Sequence, residues 1–202
     1  QYVTVDGGHR VGIAGSISSS GGKKIISDIS GLNYRIAKEF KGISDKAADE
    51  IYSGGNVKST VIVSPPGCGK TTLLRDLVRN LSYRGTAISV IDERHELFSM
   101  YHGVPCFDSG PYTDILDNCP KREGMEKALR TLAPDVIATD EIGLGEHDIL
   151  KYILKCGVGV IATAHGSAEE NSGVLSLFEK IVYLDKNHNI TVSDNEERSS
   201  DL

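Results

Sequence analysis

From residue 60 onward, short apolar runs rich in β-branched residues alternate with longer stretches whose apolar positions recur every three to four residues. The runs at 61–63, 87–91, 136–138, 158–164 and 181–184 are continuous, as strands covered on both faces must be. Between them, 71–81 places Leu73, Leu74, Leu77, Val78 and Leu81 on one helical face, with Gly85 just past its end. Stretches 121–132 and 146–156 repeat the helical spacing. Such alternation predicts an α/β fold, a mostly parallel sheet with helices on both faces.

Residues 1–40 read differently. Segments 1–5 and 10–14 flank Asp6-Gly7-Gly8, a hairpin signal, and 25–29 and 32–37 predict two further short strands. The Ser- and Gly-rich stretch 16–24 predicts a mobile turn, and 44–52 a short helix capped by Ser44. The expected organisation is a small β-rich remnant of a preceding N-terminal domain over 1–40, a core over 41–192, and a polar, acidic, disordered tail over 193–202.

The chain has 202 residues, enough for one core and a small appendage, with 39% apolar and 25% charged residues. No run approaches the roughly 18 apolar residues of a membrane span, and no secretory leader is visible. Cys68, Cys106, Cys119 and Cys156 form no C-x-x-C framework, and with His95 and His102 they fit no tetrahedral zinc spacing. The expectation is a cytoplasmic chain that reaches a membrane only through partners. A net charge of −6, with Lys and Arg scattered among more numerous acids, argues against the basic face that nucleic-acid binders use without excluding a local basic channel. No nucleic-acid partner is expected.

The chemistry begins at residues 64–72, Ser-Pro-Pro-Gly-Cys-Gly-Lys-Thr-Thr, between a strand and a helix. This is a phosphate-binding loop in the context that motif requires. Backbone amides from Gly67, Cys68, Gly69, Lys70, Thr71 and Thr72 would wrap a β-phosphate at the positive end of the helix. Lys70 would bridge the β- and γ-phosphates of ATP, and the Thr71 hydroxyl would ligate Mg²⁺. Ser64 stands where the motif usually has its first glycine, a position that does not donate to phosphate.

The strand at 136–138 runs into Asp140-Glu141. Asp140 would complete the Mg²⁺ shell and Glu141 would polarise the attacking water, unless either merely caps the next helix. Asp92-Glu93 follows the strand at 87–91 on the same sheet edge, so Glu93 competes with Glu141 for the role of base. Arg94 can pair with these acids or with phosphate. His165, after a third strand, either senses the γ-phosphate, links it to a neighbouring subunit, or has a structural role.

The ordered set formed by the loop, I-D-E-R-H-E at 91–96, A-L-R-T-L-A-P-D-V-I-A-T-D-E-I-G at 128–143 and I-A-T-A-H-G at 161–166 resembles the secretion ATPases of type II and type IV systems. G-G-H-R-V-G-I-A-G at 7–15, R-I-A-K-E at 35–39 and D-I-L-D-N-C-P-K-R-E-G-M at 114–125 resemble the sporulation members of that group. The resemblance implies a RecA-like P-loop NTPase core and ATP at 67–72. It also implies Mg²⁺ at Thr71 and Asp140, a catalytic Glu141, a supporting Glu93, and His165 in a histidine box. It further implies a hexameric homo-oligomer when full length, on the mother-cell side of a membrane, working with the embedded channel proteins of a sporulation secretion complex. Arginines would reach across subunits, and Arg10 and Arg35 lie where these tend to occur. Gly143 departs from the pattern, which commonly has arginine there.

An ATP hydrolase motor is the leading reading. A nucleotide-binding scaffold with little turnover and a P-loop kinase acting on a small acceptor are the alternatives. A RecA-like nucleic-acid motor is disfavoured by charge.

Overall fold

The structure, a computed structural model, describes residues 2–164, 172–196 and 198, and divides into two units. One comprises Gln1–Glu39 together with Phe98–Asp108. Its sheet is antiparallel, in the order β1 (Tyr2–Val5), β2 (His9–Ser20), β3 (Lys23–Arg35). A 3-10 turn at Asp6–Gly8 joins β1 to β2, where the glycines predict a hairpin. Stretch 16–24 is not the expected mobile turn. Ser20 pairs with Lys23 across a two-residue turn, Gly21 and Gly22, at φ +57° and +77°. Two successive left-handed residues match the twist of the flanking strands, and glycine adopts them without strain. Stretches 25–29 and 32–37 likewise merge into one strand, whose register with β2 shifts between Ala14 and Ser16. Serine-rich sequence reads as loop, yet ladder hydrogen bonds use the backbone alone.

The second unit comprises Phe40–Leu97 and Ser109–Leu202. It opens with α1 (Asp45–Ile51) and the short pair β4 (Tyr52–Ser53) and β5 (Asn56–Val57). Then follow β6 (Thr60–Val63), α2 (Lys70–Tyr83), β7 (Ile88–Asp92), β8 (Thr113–Asp117), α3 (Lys121–Thr131) and β9 (Val136–Ile142). The chain continues through α4 (His147–Lys155), β10 (Gly159–Ala164), α5 (Ser172–Leu175), β11 (Lys180–Leu184) and β12 (Ile190–Asp194). The seven-stranded sheet has the order β12-β11-β6-β10-β9-β7-β8 and is parallel except for β12. β8 and β12 are edge strands, half-buried and interrupted by charge, and carry no continuous apolar run. β12 extends to Asp194, two residues into the stretch read as tail.

Every residue of β6 and β7 is buried. Val61 and Val63 pack with Met125, Ile149 and Ile153 of α3 and α4. Ile62, of opposite parity in the pleat, faces the other side, where α2 crosses β6, β9 and β10. Thr86 N–H donates to the Leu81 carbonyl and Gly85 N–H to that of Ser82, closing α2 with a Schellman turn.

Ser44 does not cap α1 with its side chain. Its N–H instead donates to Asp76 Oδ2 on α2 at 2.8 Å, and Gly42 N–H reaches Asp76 Oδ1 at 3.2 Å. Burial alone would raise the Asp76 pKa, but hydrogen bonds from Ser44 and Arg79 win, and the net shift is downward. Asp76→Ala removes the carboxylate and leaves the buried Ser44 N–H without that acceptor. It should lower stability by about 2 kcal/mol, read as a fall in denaturant midpoint with unchanged slope.

Candidate active site

The loop after β6 enters α2 through two left-handed glycines, Gly67 at φ +78° and Gly69 at φ +96°. Any residue with a Cβ is strained there. The helix thus starts at Lys70, and the unpaired amides of its first turn, with the positive end of its dipole, form a site for anions. Lys70 is 7% exposed, and its Nζ donates to the Ser64 carbonyl at 3.0 Å. Burial lowers its pKa, while Cys68 and Glu141 act in the opposite sense. Ser64 serves the loop with its backbone oxygen, and its hydroxyl donates to the Pro65 carbonyl. A glycine at 64 would supply the same acceptor for Lys70.

A cavity of about 450 Å³ adjoins the loop, lined by Phe40, Ile43, Leu73, Leu184 and Ile190 with Gly69, Thr72 and Cys68. His188, from the turn between β11 and β12, closes one side, with its Nδ1 3.0 Å from the Cys68 carbonyl. The slot is apolar apart from His188 and Thr72 and is large enough for a heterocyclic base.

β9 and β10 pair in register up to Thr139 opposite Ala162, then shift so that Ile142 faces Ala164. Asp140 and Glu141 occupy this bulge. Glu141 is left-handed at φ +41°, and its N–H donates to Thr163 Oγ1 at 2.8 Å. Non-glycine residues in this region carry strain of roughly 1–3 kcal/mol and cluster where geometry serves function. Asp140 is 2% exposed, and its Oδ1 accepts no hydrogen bond. Burial pushes its pKa up to about 6; Lys121 opposes this, and Asp92 and Glu141 reinforce it. A buried carboxylate oxygen without a donor, and the Thr71 hydroxyl in the first turn of α2, are hard oxygen ligands of the kind Mg²⁺ takes. These residues fit the ion.

The acids after β7 divide into different roles. Asp92 is fully buried and accepts hydrogen bonds from the Glu96 and Leu97 N–H groups at 2.8 Å each, fixing the turn. Glu93 Oε2 lies 3.0 Å from Lys121 Nζ, and that hydrogen bond, above all else, lowers the Glu93 pKa. Arg94 pairs with Glu141. His95 Nδ1 meets the Asp117 carboxylate at 2.7 Å, tying this turn to the end of β8. The spacing of the sequence motifs contains no signal for Lys121 or His188, which reach the site only through the fold. His165 lies outside the described residues. Arg10 and Arg35 stand opposite each other on β2 and β3, with Arg10 over the Tyr2 ring at 4.8 Å. Among the described residues, no helix is long and apolar enough to cross a membrane.

The chain is 15% identical to the ATPase DotB of Legionella pneumophila, with a TM-score of 0.60 over 91% of this chain and 56% of that one. Against the VirB11 ATPase of the Brucella suis type IV secretion system, solved with sulphate, identity is 14% and the TM-score 0.55, covering 98% and 76% of the two chains. The fold is that of RecA-like P-loop ATPases, as the sequence resemblance implies. At the level of sequence, the chain is 42% identical over 173 residues to stage III sporulation protein AA of Bacillus subtilis (strain 168), covering 82% of this chain and 56% of that relative. The profile of the family described as sporulation stage III, protein AA, matches residues 1–201, and the chain belongs to that family.

Proposed function

We propose that this chain carries the ATP-hydrolysing core of a motor that powers a secretion-like channel, or its assembly, during endospore formation. In this reading the full-length protein acts as a hexameric ring on the cytoplasmic, mother-cell side of the membrane, against embedded channel proteins. The amides of 67–72 hold the β-phosphate, Lys70 turns from the Ser64 carbonyl to the β- and γ-phosphates, and the apolar slot takes the adenine. Mg²⁺, held by Thr71 and Asp140, supplies charge neutralisation on the phosphates. Water oriented by Glu141 attacks the γ-phosphorus as the bond to the β,γ-bridging oxygen breaks, giving ADP, phosphate and a proton.

The observation that carries this reading is the β9 bulge. It presents a buried, undonated Asp140 oxygen and a strained Glu141 at the same sheet edge as the phosphate loop. Phosphate release from ATP and Mg²⁺ with no acceptor added is the test. Release abolished by Lys70→Met is expected. Release only with a small hydroxyl or amine acceptor would make the chain a kinase, and ATP binding with no release at all would make it a scaffold.

A further inference from the structure

Lys121, the first residue of α3, has a side chain only 8% exposed. An ammonium is seldom buried so far unless acids compensate it. Its Nζ stands 3.0 Å from Glu93 Oε2 and 3.8 Å from Asp140 Oδ1, the oxygen that no hydrogen bond reaches. The two carboxylates sit at the ends of β7 and β9, neighbours in the sheet. The reach of the lysine is set by close packing of its helix. A Cβ on Gly124 would meet Ile91 Cγ2 at 2.6 Å, so α3 approaches β7 as only glycine allows.

We propose that Lys121 is a positioning residue, a tethered counter-cation that balances Glu93 and Asp140 and makes divalent-cation binding at Asp140 conditional on nucleotide. The proposal rests on the reading of Asp140 as the metal carboxylate. An ion arriving alone meets carboxylates whose charge is already compensated at close range. Among the described residues, no three metal-ligating side chains cluster to hold an ion by themselves. An ion arriving with a nucleotide brings phosphate oxygens as further ligands, and these tip the balance. Glu93, 39% exposed, anchors the ammonium from the solvent side, so Lys121 can release Asp140 without losing every partner.

The experiment titrates the whole chain with Mn²⁺, read by electron paramagnetic resonance, with and without ADP. Without ADP, Lys121→Met should bind Mn²⁺ at least about tenfold more tightly than the wild type, because a positive charge has left the site. Adding Asp140→Asn should erase the gain, and Lys121→Arg should restore wild-type behaviour. Equal nucleotide-free Mn²⁺ affinity in the wild type and a folded Lys121→Met overturns the proposal. If Lys121→Met fails to fold, Glu93→Gln decides. It leaves Lys121 to Asp140 alone, so Mn²⁺–ADP should bind less tightly while ADP alone binds as before; unchanged Mn²⁺–ADP affinity overturns the proposal. Asp140→Asn binding Mn²⁺–ADP as tightly as the wild type would overturn the metal reading and this inference with it. A loss there, combined with no effect at Lys121, overturns this inference alone.

Discussion

Glu141→Gln should cut phosphate release from ATP by about 10³-fold while leaving ATP affinity nearly unchanged. Glutamine keeps the shape of the side chain and the N–H that donates to Thr163 Oγ1, so the bulge of β9 has no reason to move. What is lost is the charge that orients and polarises water in the proposed mechanism, and with it the partner of Arg94. That partly exposed ion pair contributes little to stability, so the variant should unfold with nearly the wild-type midpoint. Glu93 offers the contrast. Its carboxylate is held by Lys121 and its pKa is lowered, which makes it a poor acceptor for a proton. Glu93→Gln should therefore cost only about tenfold in turnover. Single-turnover release of phosphate by both variants checks the assignment, and a larger loss at Glu93 than at Glu141 would exchange their roles.

The sequence showed most clearly what is contiguous. The phosphate loop is legible because its donors are consecutive residues and the glycines at 67 and 69 mark the left-handed turn. Asp140 and Glu141 are legible because a buried strand runs straight into them. Lys121 is not, since nothing in its own neighbourhood distinguishes it from any lysine opening a helix. Its meaning depends on Gly124 letting α3 settle against Ile91. Likewise His188 is an ordinary turn residue until β12 folds back on β11 and brings it to the Cys68 carbonyl. The misreadings share a cause. Periodicity reports burial, so the exposed ribbon of β2 and β3 and the edge strands β8 and β12, which bury little, leave a weak signal. Phe98–Asp108 falls into the unit of Gln1–Glu39 through contacts such as Asp108 N–H to Glu39 Oε1, a pairing no local pattern encodes.

Asp140→Asn is expected to have opposite effects on stability and on metal-dependent binding, and the size of the first depends on pH. Burial raises the folded-state pKa of Asp140 from 3.8 to about 6. The folded state therefore holds this proton more tightly than the unfolded chain does, and the associated stability is fully present only below pH 3.8. It is lost as pH rises through about 6, so at pH 7.5 the ionised carboxylate is a burden on the metal-free protein. A difference of roughly two pKa units corresponds to about 3 kcal/mol. Asparagine has no charge to bury. In metal-free buffer the variant should be the more stable protein at pH 7.5, by on the order of 2–3 kcal/mol, and the advantage should shrink to about 1 kcal/mol at pH 4.5. Urea denaturation of both proteins at the two pH values reads the difference directly, and other titrating groups cancel in the comparison. Saturating Mg²⁺–ADP should reverse the order at pH 7.5, because only the aspartate can repay its burial by holding the ion. An Asp140→Asn gain that is the same at both pH values would mean that the carboxylate binds its proton equally well in the folded and unfolded chain, and would overturn the reading of Asp140 as a carboxylate burdened by burial.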